Sequence, residues 1–282
     1  MLRKRLLYLL FMIVTLGCFI WFQNNSISTS QTVVPLENLP VGFDQFKIVH
    51  LSDLHSKEFG ENQQPLIRKV NGLHPDIIVF TGDLIDSNRV GDDASLILME
   101  ELTAIAPVYY VSGNHEWWSG AFSSLEQSLN DLGVQVLRNE HDTIAIGNDK
   151  ISISGIDDPA HDGSGWSDVE IVEGDIGMLK EELEEHTFSI LLTHRPELLT
   201  LYAESGFDMV FAGHAHGGQV RLPFIGGLVA PNQGFLPNYT AGKHELGHTV
   251  MIVSRGLGNS IIPLRLFNRP EIVAVTLKAV NN

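Results

Sequence analysis

Eight side chains that could bind metal ions lie in five short segments, and each segment follows an apolar run typical of a buried strand. In chain order the segments are "SDLH" (52–55), "TGDLID" (81–86), "SGNHE" (112–116), "THRPE" (193–197) and "GHAHGG" (213–218). Their candidate ligands are Asp53, His55, Asp83, Asn114, His115, His194, His214 and His216. Ligands of open α/β sheets bind beyond the carboxyl ends of the strands, so five such endings in order predict a single site.

The candidate ligands also form a chemically coherent set, because carboxylate, amide and imidazole groups occur together without a thiolate. Such groups suit Mn, Fe, Zn or Ni ions better than calcium. Eight side chains exceed the needs of one ion, but they fit two divalent or trivalent ions about 3.5–4 Å apart. Three glycines precede motifs at places where the backbone must turn sharply or approach the ions, and they are Gly82, Gly113 and Gly213.

The elements that must position these residues alternate along the chain between short apolar runs and helical patterns. The buried-strand candidates are "FKIVHLS", "DIIVFT", "PVYYVS", "FSILLT" and "DMVFAG". The helix candidates cover residues 61–72, 92–105, 121–132, 174–186 and 197–205. Later segments suggest hairpins, with "GND" (147–149) as one turn. This alternation followed by hairpins predicts an α/β fold with mixed sheets.

The motifs "DLH", "GDLID", "GNHE", "THRPE" and "GHAHGG" resemble the ordered signatures of the calcineurin-like metallophosphoesterases, and the resemblance extends from residue 46 to about 277. It implies an α/β double β-sandwich flanked by helices, with a dinuclear metal centre at its edge. It further implies that one ion takes Asp53, His55 and His216. The other ion would take Asn114, His194 and His214, with Asp83 bridging the two ions.

The resemblance also implies a reaction, in which a hydroxide held between the ions hydrolyses a phosphodiester or pyrophosphate bond. His115 matches a histidine that faces the substrate phosphate and protonates the leaving oxygen, and Glu116 would orient it. A phosphomonoesterase and a metal-binding scaffold without turnover are the alternatives. The segments "HGGQVRLP" and "SRGLGNSIIPLRLFNRPE" resemble a bacterial membrane-anchored phosphodiesterase subgroup, which implies a lipid- or nucleotide-linked substrate.

Other residues near the motifs have both a functional and a structural interpretation. Arg195 is a candidate clamp for the substrate phosphate, or it forms an ion pair with Glu197 or another acidic neighbour. Trp117 and Trp118 could stack on a base or sugar, although a packed loop is the commoner fate of such aromatics. The apolar segment "RLPFIGGLVAPNQGFLPNY" (221–239) either contacts lipid or packs as a core loop.

The N-terminal end predicts a membrane attachment. Residues 6–22 contain no charge in 17 positions and follow Arg3, Lys4 and Arg5, so we expect residues 1–22 to form a transmembrane signal anchor. The basic residues favour a cytoplasmic N-terminus and an extracytoplasmic catalytic domain on a bacterial cell membrane. A cleaved signal peptide and a lipoprotein attached through Cys18 are the alternatives.

Composition bounds the remainder of the chain, which we divide into a polar linker (23–40) and a catalytic domain (41–282). Cys18 is the only cysteine, so disulfides and cysteine–zinc sites are excluded from the domain. The formal net charge is −16, and residues 1–22 contribute +3, so the rest carries −19. Nucleic-acid binding requires a basic surface, and we therefore expect none.

Overall fold

The structure is a computed structural model, and it describes residues 2–89, 91–182, 187–259 and 262–280. The helices in these ranges are α1 (Leu2–Asn25), α2 (Gln64–Asn71), α3 (Asp93–Thr103), α4 (Asn114–Ser119), α5 (Phe122–Asp131), α6 (Asp168–Glu182) and α7 (Leu199–Glu204). The strands are β1 (Ser28–Leu36), β2 (Lys47–Leu51), β3 (Ile77–Thr81), β4 (Val108–Val111), β5 (Gln135–Val136), β6 (Glu140–Ile146), β7 (Asp149–Gly155), β8 (Ser189–Leu192), β9 (Met209–Ala212), β10 (Arg221–Leu222), β11 (Gly226–Gly227), β12 (Val229–Ala230), β13 (Gly234–Phe235), β14 (Gly242–Leu246), β15 (Thr249–Val253) and β16 (Glu271–Ala279). The last four residues of the predicted helix 174–186 lie outside the described residues.

Two six-stranded sheets form the centre of the fold. Their strand orders are β1-β16-β2-β3-β4-β5 and β14-β15-β9-β8-β7-β6. The inner faces of the two sheets share one apolar core, in which Ile48 and Val79 of the first sheet join Ile190 and Phe211 of the second. Strands buried on both faces need apolar residues at every position, which explains their continuous apolar runs.

Helices cover the outer face of each sheet. On the first sheet, α2, α3 and α5 contribute Leu66, Leu98 and Leu125 to a second core. On the second sheet, α6 and α7 contribute Val172 and Tyr202 to a third core. The predicted fold class, an α/β double β-sandwich flanked by helices, is confirmed.

The strands that carry the candidate ligands run in a common direction within each sheet. Strands β2, β3 and β4 are parallel neighbours in the first sheet. Strands β7, β8, β9 and β15 are parallel neighbours in the second sheet. The carboxyl ends of each parallel set therefore share one edge, which we call the carboxyl edge of the sandwich.

The expected linker at residues 23–40 is wrong, because most of this segment belongs to ordered elements. Helix α1 continues to Asn25, and β1 pairs in parallel with β16 from Ser28 onward. Val34 and Leu36 are buried in the core between the sheets. The serines and threonines of β1 lie on exposed or half-exposed positions of an edge strand. Their polar composition is the same as that of a linker, which explains the wrong prediction. The ordered body thus begins before residue 41, and residues 281–282 lie outside the described part.

Helix α1 stands largely free of the body. The most apolar 18-residue window within Arg3–Asn25 has a mean hydropathy of 2.1, and the helix is long and apolar enough to cross a membrane. Its last turn is different, because the buried side chain of Asn24 bonds to the body. The Oδ1 atom of Asn24 accepts a hydrogen bond of 2.9 Å from the backbone N–H of Arg265.

Candidate metal centre

The carboxyl edge brings the predicted metal ligands into one place. Asp53 and His55 follow β2, Asp83 follows β3, and Asn114 begins α4 directly after β4. From the second sheet, His194 follows β8, while His214 and His216 follow β9. All seven side chains are at most 4 % exposed, so their polar atoms have little access to water.

One group of potential ligands consists of Asp53, His55, Asp83 and His216. The Nε2 atom of His55 lies 3.1 Å from Nε2 of His216 and 3.4 Å from Oδ2 of Asp83. The Nε2 atom of His216 lies 3.3 Å from Oδ1 of Asp53. These four side chains therefore converge with their donor atoms on one point.

A second group consists of Asp83, His194 and His214. The Nε2 atom of His194 lies 3.3 Å from Oδ2 of Asp83 and 3.1 Å from Nδ1 of His214. Asn114 is also buried at this edge, and its Oδ1 accepts no hydrogen bond from the residues that the structure describes. Because buried polar atoms nearly always have a partner, this oxygen fits the role of a ligand to a cation.

The spacing of the donor atoms fits two metal ions. Ligands about 2.1 Å from one ion, at octahedral or tetrahedral angles, are roughly 3.0–3.4 Å apart. The observed separations of 3.1–3.4 Å lie in this range in both groups. Oδ2 of Asp83 belongs to both groups, which is the position that a bridging ligand requires. The donor set therefore fits a dinuclear centre made from nitrogen and oxygen ligands.

The backbone at this edge adopts a conformation that side chains disfavour. The φ angle lies between 46° and 65° at five ligand positions: Asp53, His55, Asp83, His214 and His216. A non-glycine residue in this left-handed region costs about 1 kcal/mol or more, and such residues concentrate at functional sites. Other interactions of the fold must offset this energy. The left-handed conformation lets each side chain turn toward the centre immediately after its strand.

All three predicted glycines are required by close contacts at the centre, and a Cβ atom at Gly82 would overlap the backbone of Gly113 and Nδ1 of His194. A Cβ atom at Gly113 would overlap the backbone nitrogen and the carboxylate of Asp83. A Cβ atom at Gly213 would overlap the side chains of Ser52 and Asp53. The close approach that we predicted at these glycines is therefore to the ligands and their neighbours.

A cavity of about 500 Å³ opens over the centre. Asp83, Asn114, His115, His214 and His216 line its base, and the remaining walls come from loops and from α4 and α6. The wall residues include Trp118, Pro159, Asp162, Trp166, Asp168, Ile171, Arg195, Pro231 and Asn232. The cavity could hold a substrate whose reacting group faces the buried ligands.

The comparison with known proteins agrees with this geometry. Residues 46–218 match the family model for the calcineurin-like phosphoesterases. The chain belongs to the calcineurin-like phosphoesterase family. A metallophosphoesterase of Bacillus subtilis, YkuE, is 32% identical over 93% of this chain and 89% of its own length. The phosphodiesterase YaeI of Escherichia coli is 28% identical over 82% of this chain and 82% of its own length.

A solved structure supports the fold of this chain. The phosphopantetheinyl hydrolase PptH of Mycobacterium tuberculosis superimposes with a TM-score of 0.52 at 14% identity. The match covers 77% of this chain and 92% of the hydrolase. At this level of identity the similarity concerns the fold.

The imidazoles of the phosphoesterase are oriented by groups that sequence analysis did not identify. Nδ1 of His194 donates to the backbone carbonyl of Thr81 at 2.7 Å, and this bond leaves Nε2 for the centre. Nε2 of His214 lies 3.1 Å from Oδ1 of Asn232, which leaves Nδ1 for the centre. Asn232 lies in an apolar loop 18 residues further along the chain, and no motif marks it.

Burial and charge divide the histidines into two classes. Burial alone would lower the pKa of His194, but the nearby carboxylates of Asp83, Asp53 and Asp158 together outweigh it and raise this pKa to about 10. Burial lowers the pKa of His55 to about 3. Burial also holds the pKa values of His214 and His216 well below their usual range. Three of the four imidazoles are therefore neutral near pH 7 and ready to bind a cation.

His115 lines the cavity beside the centre without belonging to the predicted ligand set. Its ring lies 4.5 Å from the ring of His55, edge to face. The backbone N–H of Ser87 donates to Nδ1 of His115 at 3.1 Å, and Oδ1 of Asp86 lies 3.6 Å from the same atom. Because a backbone N–H can only donate, the neutral ring carries its hydrogen on Nε2.

Glu116 has a different role from the one that we expected. Its carboxylate accepts backbone hydrogen bonds from Gly113 at 2.7 Å, Asp83 at 2.8 Å and Ile85 at 3.1 Å. Burial, together with the charge of Asp83, raises the pKa of Glu116 to about 8. The expectation that Glu116 orients His115 through its own side chain is wrong, because it joins the loops after β3 and β4. Ser87 and Asp86 lie next to Nδ1 of His115 instead.

Arg195 forms the ion pair that was one of its two predicted roles. Its Nε and Nη2 atoms donate to Asp158 at 2.5 and 2.8 Å, a two-point contact between buried side chains. Nη1 lies 3.4 Å from Asp168 and 3.4 Å from Nε2 of His214. Arg195 lines the cavity, so its held guanidinium still presents one edge to a bound substrate.

The two adjacent tryptophans differ in their surroundings. Trp117 packs against Phe122 and donates its Nε1 hydrogen to Ser112 at 2.9 Å. Trp118 is 61% exposed and lines the cavity 5.3 Å from the ring of His115. Trp166 lines the same cavity and is 65% exposed, although no sequence motif distinguishes it.

Proposed function

We propose that this phosphoesterase uses two metal ions to hydrolyse a phosphodiester or pyrophosphate bond of a lipid- or nucleotide-linked substrate. The observation that carries the proposal is the pair of donor groups that share Oδ2 of Asp83 at the base of an open cavity. A scaffold without turnover would have no need for an accessible cavity over a pair of buried, converging ligand sets.

The residues would divide between the ions as their donor atoms are grouped. One ion would contact Asp53, His55 and His216, and the other would contact Asn114, His194 and His214, with Asp83 between them. The imidazole, carboxylate and amide donors suit Mn, Fe, Zn or Ni. Ions bound in such a site lower the pKa of a bound water toward about 7 and neutralise charge on a phosphoryl group.

His115 would act on the leaving group. Its ring hydrogen is on Nε2, since Nδ1 accepts from the backbone of Ser87. As a general acid the ring would act as the imidazolium, so that the Nε2 hydrogen passes to the oxygen that leaves phosphorus and the ring returns to its neutral form. Asp86 near Nδ1 would stabilise the positive charge of the ring before this transfer. Removal of a general acid of this kind slows turnover by about 10²–10⁴-fold.

The charge around the cavity favours a diester over a monoester. Among the lining residues that the structure describes, Arg195 is the only lysine or arginine, and Asp158 already engages it. Asp162 and Asp168 add negative charge to the wall. A monoester dianion needs more cationic contacts than this wall offers, whereas a diester carries a single negative charge. The name of the relative YaeI, a phosphodiesterase, supports the same choice.

We place the enzyme on a bacterial cell membrane through α1. The helix is long and apolar enough to span a bilayer. Arg3, Lys4 and Arg5 precede the apolar run and favour a cytoplasmic N-terminus, so the catalytic body would be extracytoplasmic. Asn24 joins the last turn of α1 to Arg265 of the body, which supports an anchor that is retained after synthesis.

The proposal is tested with the full chain in detergent, stripped of metal and reloaded separately with Mn, Fe, Zn or Mg. Turnover of bis-p-nitrophenyl phosphate is compared with that of p-nitrophenyl phosphate, and bound metal is counted by mass spectrometry. We expect metal-dependent turnover that favours the diester. Asp83→Asn should lose both ions and activity, whereas the same substitution at the exposed Asp131 should change neither.

Each other outcome has a definite meaning. Faster hydrolysis of the monoester than of the diester would contradict the proposed diesterase activity and identify the protein as a phosphomonoesterase. Two bound ions per chain without turnover of either compound would contradict the proposed activity and favour a binding role. Full metal content in Asp83→Asn would overturn the assignment of Asp83 as the shared ligand.

A further inference from the structure

The segment that follows His216 forms two short hairpins whose apolar side chains face solvent. We call residues 221–236 the double hairpin, since it contains β10–β11 and β12–β13. Its most exposed side chains are Phe224 at 109%, Phe235 at 72%, Ile225 at 60% and Leu236 at 52%. The segment contains one charged residue, Arg221. Of the two sequence interpretations of this segment, core packing does not apply to these four side chains.

The double hairpin is attached to the part of the body that contacts α1. The backbone N–H of Arg221 donates to the carbonyl of Leu266 at 3.0 Å. The next residue, Phe267, packs its ring 5.7 Å from that of Phe19 on α1. Phe19 lies six residues before the end of α1, which corresponds to about 9 Å along the helix axis. Phe267 thus lies alongside the apolar stretch of the helix, with the double hairpin directly beside it.

Arg269 lies where the apolar surface of α1 ends. The guanidinium of Arg269 lies 5.2 Å from the ring of Phe22 on α1. An arginine stacked on an aromatic ring is typical of the headgroup layer, where the stem contacts apolar groups and the charge stays in water. With Arg269 at Phe22 and Phe267 at Phe19, the surface of a bilayer would pass through the last two turns of α1.

The cavity opens on this same side of the molecule. The end of α1 contacts loops at the carboxyl edge, since Asn24 bonds to Arg265 and to Asn259 after β15. Pro231 and Asn232 of the double hairpin line the cavity wall. The apolar hairpin tips, the end of α1 and the wall of the cavity therefore belong to one continuous surface.

We propose that the double hairpin inserts its apolar side chains into the headgroup region of the bilayer beside α1, so that the cavity faces the lipid surface. The occupant is a lipid membrane, because the surface is continuous with the helix that spans it. A free phosphoester of the aqueous phase needs no such surface, whereas a lipid-linked one enters without leaving the bilayer. This inference rests on the membrane anchoring proposed above.

The test uses full-length chains in which Cys18→Ser is combined with one new cysteine for an environment-sensitive fluorophore. Phe224→Cys places the probe on the hairpin, and its side chain makes no buried contact that labelling would disrupt. Ile146→Cys is the control, because Ile146 is also apolar and exposed but ends β6 on the side opposite the carboxyl edge. Both chains are reconstituted into phosphatidylcholine vesicles with or without bromine on the acyl chains.

We expect brominated lipid to quench the probe at position 224 and to blue-shift its emission relative to position 146, where quenching is absent. Equal emission and no quenching at both positions would overturn the proposal. Energy transfer between chains in detergent, dependent on protein concentration, would assign the surface to a second copy instead. Turnover of bis-p-nitrophenyl phosphate by the same chains is scored separately, so that loss of the proposed activity is distinguishable from loss of membrane contact.

Discussion

Metal binding should displace one proton from His194, and this proton makes metal affinity depend on pH. Nδ1 of His194 donates to the backbone carbonyl of Thr81, and Nε2 lies 3.3 Å from the carboxylate of Asp83. The carboxylates of Asp83, Asp53 and Asp158 together overcome the effect of burial and raise the pKa of His194 to about 10, so the ring is an imidazolium near pH 7. A metal ion needs the lone pair on Nε2, and therefore the second hydrogen must leave.

The magnitude follows from proton linkage. At pH values below the His194 pKa of about 10, each unit of rise in pH should tighten the apparent metal affinity about tenfold, or by about 1.4 kcal/mol, because binding releases one proton. Between pH 7 and pH 9 the ion held by His194 should therefore bind up to about 100-fold more tightly, on the order of 2.7 kcal/mol. His214 contributes no proton in this range, because burial keeps its pKa well below the usual value.

The direct assay is nitrogen NMR of chains labelled with ¹⁵N-histidine, with a His194→Gln chain to assign the signal. Both ring nitrogens of His194 should have imidazolium shifts at pH 7 to 9 without metal, and Nε2 should change to a metal-bound shift on loading. Competition with a metal-buffering chelator measures the affinity over the same range. A His194 ring that titrates near pH 6.5 without metal, or an affinity independent of pH, would refute the reasoning.

Three further substitutions have distinct expected results. In Gly256→Ala the new Cβ atom would lie 2.7 Å from Cβ of Asp53, and residue 256 has a φ angle of 69° that alanine disfavours. Metal analysis should therefore show a lower metal content, and denaturation should show that the free energy of unfolding falls by more than about 1 kcal/mol. Arg195→Lys loses the two-point contact with Asp158 and should lower the free energy of unfolding by about 1.5–3 kcal/mol. A rise in KM without a change in stability would instead favour the role of Arg195 as a clamp for the substrate phosphate. Trp118→Ala should leave stability within about 0.5 kcal/mol, because the ring is exposed, but should raise KM for bis-p-nitrophenyl phosphate with kcat unchanged; an unchanged KM would exclude stacking on the substrate.

The centre of the fold could be predicted because buried strands and their endings have a strong local pattern. All five apolar runs that precede the motifs are strands, and the ligand residues follow them as expected. Parallel strands place their carboxyl ends together without any detail of side-chain packing. The residue types at these ends then restrict the chemistry to metal binding.

Other features depend on contacts that distant segments make, and the local sequence contains no sign of them. The strand at Ser28–Leu36 is polar because one of its faces is exposed, and only its pairing with β16 distinguishes it from a linker. Asn232 contacts His214 only after two hairpins have folded back over the centre. The two-point contact of Arg195 with Asp158 joins residues 37 positions apart. Each of these pairings is fixed by tertiary structure, which overrides local propensity.

The short junction between α1 and β1 limits how the catalytic body can move. A flexible linker of 18 residues would give the body a reach of roughly 23 Å from its anchor. Two residues, Ser26 and Ile27, connect α1 to β1, and Asn24 bonds to the body on the helix side of this junction. With α1 in a bilayer, the metal centre stays at one height and one tilt above the surface. The enzyme would then find its substrate by lateral diffusion in two dimensions, so its rate would depend on the surface density of the substrate rather than on its bulk concentration.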